Sequence, residues 1–208
     1  MKRLYELLGY PRCALIYGAG GVGKTTVALE AALGAASTGK AVIYGFSSTS
    51  SSLNRAVEIA NSMGWGKIPD KLNFAKVDSF KSLFELATIA FGGGPDLLVI
   101  DTITYAYRVA LSSGKRAMET GRLLTEVVAL LAAGNPKRTT ILLADVQTRP
   151  TGEERPVAES SLKYWCDEVM HLTRSPAGDR SAEIETMEKF RSKVSFRVGE
   201  WGTEVIGA

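Results

Sequence analysis

A chain of 208 residues, 45% hydrophobic and 23% charged, is long enough to bury a continuous core and too apolar to be disordered by composition. Its formal charge of +3 permits contact with nucleic acid but does not demand it. A single histidine, His171, excludes multi-histidine metal sites, and two distant cysteines, Cys13 and Cys166, leave no disulfide framework and fit a reducing, cytoplasmic setting.

The N-terminus places basic residues before apolar ones, but Glu6, Pro11 and Arg12 interrupt the run, so it does not read as a signal peptide. No apolar stretch approaches the ~20 residues that span a bilayer, and no membrane partner is expected. Cys13 to Tyr17 reads as a buried strand leading into glycines, and Lys24 to Ser37 as a helix with a small-residue face at Val27, Ala28, Ala31 and Ala32. A strand from Ala41 to Phe46, a helix from Leu53 to Met63 and a strand from Leu72 to Val77 follow. Ser79 then caps a helix whose Phe80, Leu83, Phe84, Ala87 and Phe91 recur at helical spacing, and Gly92 to Pro95 end it. Asp96 to Asp101 is an apolar strand closing on a carboxylate. A long helix from about Lys115 to Ala133 and a strand from Thr139 to Val146 complete the pattern. Continuous apolar strands alternating with helices predict an α/β fold, a mostly parallel twisted sheet covered on both faces. The polar, Pro- and Gly-rich run from Thr148 to Pro156 reads as a mobile loop. Beyond Ala158, short alternating runs separated by Gly-rich turns predict an antiparallel extension of hairpins. No linker divides the chain, so residues 1–208 are expected to form one domain.

One motif carries chemistry. Gly18, Ala19, Gly20, Gly21, Val22, Gly23, Lys24, Thr25 and Thr26 form the pattern G-x-x-x-x-G-K-[ST] plus one threonine, between a strand and a helix. Glycines let backbone N–H groups turn toward phosphate oxygens, and the helix N-terminus adds its positive dipole end. Lys24 supplies a charge to the terminal phosphates, the Thr25 hydroxyl suits Mg²⁺, and Thr26 can donate to another phosphate oxygen. Asp101, at the C-terminal end of an apolar parallel strand, is the expected partner of the metal, through water. ATP and Mg²⁺ are the expected ligands.

The loop is similar to that of ParA/MinD-type ATPases, but Ala19 stands where those carry a signature lysine. No Asn-Lys-x-Asp guanine reader occurs, and the loop from Thr148 to Pro156 imitates a kinase lid only weakly. The chain resembles most the RecA/RadA recombinase superfamily, in particular the short archaeal RadA paralogs that consist of the ATPase core alone. "LYELLGY" before the phosphate loop, "LLVIDTITYAYR" from Leu97 to Arg108, "ILLADVQTRP" and the closing run from Pro156 to Ile206 carry the likeness. It implies a RecA-like P-loop core without an N-terminal helix-hairpin-helix domain. It also implies a role as an accessory in DNA recombination and repair, with DNA and a RadA-type recombinase as partners, and leaves self-association open. Arg55 falls where relatives stack an arginine on adenine. The loops expected to face DNA run from Arg108 to Arg116 and from Thr148 to Pro156, and bring Arg108, Lys115, Arg116, Arg149 and Arg155.

Two departures from the family stand out. The glutamate that activates water falls at Ser48, or its neighbour Ser47, and a serine is no general base at neutral pH without help. At the end of the later strand the family's Asn-Gln, whose glutamine senses the terminal phosphate, is replaced by Asp145 and Val146, with Gln147 one step on. ATP is therefore expected to bind and to be split slowly, or only when a partner completes the site; Glu153 and Glu154 are the nearby candidates for a carboxylate. A KaiC-like signalling or scaffold protein that does not touch DNA is the alternative.

Overall fold

The structure is a computed structural model, and it describes residues 2–47, 51–188 and 190–206. The strands are β1 (Cys13–Gly18), β2 (Val42–Phe46), β3 (Leu72–Lys76), β4 (Leu97–Asp101), β5 (Thr139–Ala144), β6 (Val146–Thr148), β7 (Glu154–Pro156), β8 (Glu168–Arg174), β9 (Arg180–Thr186), β10 (Arg191–Gly199) and β11 (Gly202–Ile206). The helices are α1 (Lys24–Ser37), α2 (Ser51–Ser62), α3 (Phe80–Phe91), α4 (Ile103–Ser112), α5 (Ala117–Ala133) and α6 (Glu159–Trp165), preceded by a 3₁₀ turn at Leu4–Leu7.

Nine strands form one sheet in the order β11-β10-β9-β8-β1-β5-β4-β2-β3. From β3 to β8 the neighbours run parallel, and β9, β10 and β11 continue it in antiparallel hairpins. Strand alternation divides the core into two layers. Ile16, Tyr44, Val99 and Leu143 face α1 and α2. Leu15, Ile100 and Leu142 face α3, α4, α5 and α6. Because β4 alternates, Asp101 follows Leu97 and Val99 onto the α1 side of the sheet. The Asp101 carboxylate is thus delivered to the first helix by strand period alone.

Two expectations need correction. Arg108 does not lie in a loop: it sits on α4, and only residues 113–116 connect α4 to α5. Ile103, Thr104, Ala106 and Ala110 are buried, at offsets that fit one helix face. The composition, rich in β-branched and aromatic residues, concealed this helix because tertiary burial outweighs local propensity. The run from Thr148 to Pro156 is not a structureless loop either, since Val146, Gln147 and Thr148 pair with Pro156, Arg155 and Glu154 as an antiparallel hairpin. Its turn is closed by the Arg149 N–H donating to the Glu153 carbonyl at 2.9 Å and the Gly152 N–H to that of Arg149 at 2.8 Å.

The hairpin extension is fastened to the body through a buried carboxylate. Glu30, on α1 and fully buried, accepts from the Thr203 N–H at 2.9 Å and from the Arg3 guanidinium at 2.8 Å. Thr203 in turn accepts the Leu4 N–H at 3.0 Å. Burial raises the pKa of Glu30, and the bonds from Thr203 and Arg3 oppose that shift. Among the described residues, no helix is long and apolar enough to cross a membrane.

Candidate functional site

The site lies at the C-terminal ends of β1, β4 and β5, where the chain leaves β1 toward β2 on one side and leaves its neighbour β5 toward β8 on the other. Open parallel sheets place their ligand crevice at such a point. The turn from Gly18 to Gly23 leads β1 directly into α1. A Cβ on Gly18 would stand 2.3 Å from the Leu172 carbonyl of β8, so only glycine lets the two strands approach there. Gly23, just before α1, has φ +119, a conformation that side chains rarely adopt. No side chain caps α1. Its first N–H groups therefore have no helical acceptor and point into the crevice.

Lys24 is buried, and its ammonium donates to the carbonyls of Gly18 at 2.7 Å and Ala19 at 3.0 Å. Its third neighbour is the Asp145 carboxylate at 3.4 Å. A cavity of about 190 Å³ is lined by Gly21, Gly23, Lys24, Thr25, Thr26 and Val198, so β10 supplies an apolar wall beside the loop. Arg55, on α2, donates to the Gly199 carbonyl and to that of Glu200 at 3.3 Å, and pairs with Glu58 at 2.8 Å. It therefore reaches the end of β10 next to Val198. A second cavity, about 360 Å³, lies on the other flank of the loop, where Ala19 and Gly20 meet Glu154 and His171. His171 stacks on Tyr17 with ring centroids 4.3 Å apart, and its Nε2 lies 3.5 Å from Glu154. Glu153 instead turns to Arg155, at 2.9 Å.

Asp101 and Thr25 meet. The Thr25 hydroxyl donates to Asp101 Oδ2 at 2.8 Å, and the Tyr44 hydroxyl donates to the same oxygen at 2.8 Å. Burial raises the Asp101 pKa, while the bonds from Tyr44 and Thr25 and the Lys24 charge hold it back. The Tyr44 phenol is pushed well above its ordinary range by burial and then by the Asp101 charge. Tyr44 is a residue of this candidate site that sequence alone does not reveal. Its alternation along β2 with Val42 was visible, but the reach of its hydroxyl across to β4 was not.

Ser47 has a structural occupation. Its hydroxyl donates to the Asp101 carbonyl at 3.0 Å and accepts the Thr102 N–H at 3.0 Å, bracketing the cis peptide between those residues. Ser48 lies outside the described residues. Among the described residues, no group of three or more His, Cys, Asp or Glu side chains could hold a metal by itself.

The cations singled out for DNA are mostly paired. Arg108 lies 3.2 Å from Asp145, and Arg116 3.7 Å from Glu119. Arg155 pairs with Glu153 and, at 3.0 Å, with Glu159, which also gathers Arg149 at 3.9 Å and Lys163 at 3.1 Å. Lys115 makes no ion pair among the described residues. The same end of the sheet thus carries both the phosphate-type loop and the basic residues, but with most of that charge internally neutralised.

A comparison with family models finds no match. Curated proteins do match over most of the chain. The DNA repair and recombination protein RadB of Methanocaldococcus jannaschii is 26% identical over 196 residues, covering 92% of each chain. The protein of the same description from Thermococcus gammatolerans is 30% identical over 223 aligned positions, covering 98% of this chain and 96% of its own. A crystal structure of the RadB recombinase superposes with a TM-score of 0.71 at 25% identity, over 93% of this chain and 90% of that one. The RecA-like architecture implied by the resemblance is the one observed, and with likeness of this extent in both sequence and fold, the chain belongs to the RadB family.

Proposed function

We propose that this protein binds ATP·Mg²⁺ over the N-terminus of α1 and serves as an accessory in DNA recombination and repair, splitting the nucleotide slowly or only with a partner's help. The observation that carries the nucleotide reading is the convergence of an uncapped helix end, the buried Lys24 and the Thr25–Asp101 pair at the mouth of one strand. The backbone N–H groups from Gly20 to Thr26 would hold phosphate oxygens, and Lys24 would exchange the Gly18 and Ala19 carbonyls for them. The donor set suits Mg²⁺, which takes one or two protein oxygens and keeps waters and phosphates as its other ligands. Thr25 would ligate it directly and Asp101 through water. When bound, the metal neutralises charge on the phosphates. Arg55, which bonds the Gly199 and Glu200 carbonyls beside Val198, would cover the base there.

Slow turnover follows from the carboxylate that is missing. Ser47 already spends its donor and its acceptor on the Asp101–Thr102 peptide, and Ser48 stands at the family's glutamate. Loss of a base costs about 10²–10⁴-fold in rate. The likeness to DNA repair and recombination proteins supports the recombination and repair role. DNA phosphates would meet Lys115 and Arg116 most readily, and Arg108, Arg149 and Arg155 only by displacing carboxylates. That internal pairing is the one observation favouring a nucleotide-regulated scaffold without DNA contact. We place the protein in the cytoplasm, where the buried Cys13 and Cys166 thiols, distant in sequence but brought to 3.1 Å by the fold, would stay reduced.

Steady-state hydrolysis by the purified protein tests the reading. Turnover about 10²-fold or more below that of an enzyme with an intact base is expected, rising on addition of DNA or a RadA-type recombinase. Brisk turnover in isolation, abolished by Lys24→Ala, contradicts the slow site.

A further inference from the structure

We infer that Asp145 sets the preference of this site between nucleoside diphosphate and triphosphate, disfavouring the terminal phosphate. The inference rests on the nucleotide reading above and adds the residue that discriminates.

Asp145 follows β5 and is held from three directions. Its Oδ1 lies 3.4 Å from Lys24 Nζ, and its Oδ2 lies 3.2 Å from the Arg108 guanidinium. Thr104, fully buried on α4, accepts the Asp145 N–H at 3.2 Å and sets its own hydroxyl 3.5 Å from Oδ2. This carboxylate is therefore fixed within ion-pair distance of the one ammonium that a terminal phosphate must recruit. Lys24 is already shared between two carbonyls and Asp145.

A phosphate drawn to Lys24 arrives beside a second anion. A carboxylate is an acceptor only and can donate nothing to a phosphate oxygen. Arg108 offsets it incompletely, because its guanidinium is half exposed and screened by water. The inner phosphates would be held chiefly by the backbone N–H groups at the helix end, so the repulsion is expected to fall mainly on the terminal one. Each added phosphate charge next to Asp145 thus counts against the triphosphate and leaves the diphosphate largely untouched. An amide at the same place would reverse the sign, since its NH₂ donates.

Calorimetric titration of the full chain with Mg·ADP and with Mg·ATP, before appreciable hydrolysis, reads this directly. The wild type is expected to bind ADP at least as tightly as ATP. Asp145→Asn should raise the affinity for ATP relative to ADP by about tenfold or more, a change of about 1.4 kcal/mol per factor of ten. Arg108→Gln, an exposed change that preserves folding, should move the ratio the other way by leaving Asp145 less neutralised. If Asp145→Asn alters both affinities by the same factor, or the ratio stays put in both variants, the inference is wrong and the nucleotide site stands. If the wild type binds neither nucleotide, the site reading fails and this inference fails with it.

Discussion

Replacing Tyr44 by Phe removes one hydroxyl from a fully buried ring and nothing else. The perturbation falls on Asp101, whose Oδ2 then keeps only the Thr25 donor at 2.8 Å. A buried hydrogen bond to a charged acceptor contributes about 1.5–3 kcal/mol, against about 0.5–1.5 when both partners are neutral. At neutral pH the variant should therefore lose about 2 kcal/mol, or roughly 4–8 °C in melting temperature for a chain of this size. Its pH dependence has a definite sign. The Asp101 pKa is raised by burial, so the group favours the folded state most when protonated, and that contribution is lost as pH rises through the folded value. Losing the Tyr44 bond raises the pKa further, because that bond lowers it. The cost of Tyr44→Phe should thus grow as pH climbs through the Asp101 titration and shrink below it. Urea unfolding from mild acid to pH 8, with Asp101→Asn as the second arm of a double-mutant cycle, measures this. A neutral Tyr44→Phe variant, or an equal cost with Asn at position 101, would refute the reasoning.

Two further outcomes are expected. Glu168 is buried, with Oε2 accepting the Gly9 N–H at 3.0 Å and Oε1 without a partner among the described residues. Burial raises its pKa against that one bond, so its stabilising contribution belongs to low pH and disappears as pH rises through the folded value. Glu168→Gln, which resembles the protonated form, should stabilise the protein by about 1 kcal/mol at neutral pH and flatten the pH profile of its melting temperature; a loss of stability at pH 7 contradicts this. For DNA, affinity should fall steeply with salt, and Lys115→Ala should reduce the log–log slope by about 0.7–0.9, the share of one phosphate contact. No measurable binding at low salt, with or without ATP, favours the scaffold reading instead.

Much of the architecture could be read before the fold was seen, for identifiable reasons. The phosphate-type loop was legible because its glycines encode local backbone geometry, and α1 occupies the expected Lys24–Ser37 span. Asp101 was legible as the end of an apolar strand. What escaped reading depended on contacts between distant segments. The helix α4 is written in Ile, Thr, Tyr and Val, which favour strands, and exists because its face is buried. Ser47 read as one of two serines at the position of the water-activating glutamate, and it binds the Asp101–Thr102 peptide. Asp145 was visible as a departure from an Asn-Gln pair, but its contact with Lys24 exists only after β1 and β5 lie side by side. The basic residues were legible as charges and not as ion pairs, since Glu159 collects Arg149, Arg155 and Lys163 from three elements.

The measurement that bears most directly on the account is a crystal structure of the full chain soaked with Mg²⁺ and a nonhydrolysable ATP analogue. The account predicts phosphates against the N–H groups of residues 20–26, Lys24 withdrawn from the Gly18 carbonyl, and Thr25 beside the metal with Asp101 behind a water. An empty or collapsed turn between β1 and α1 at saturating analogue would contradict it.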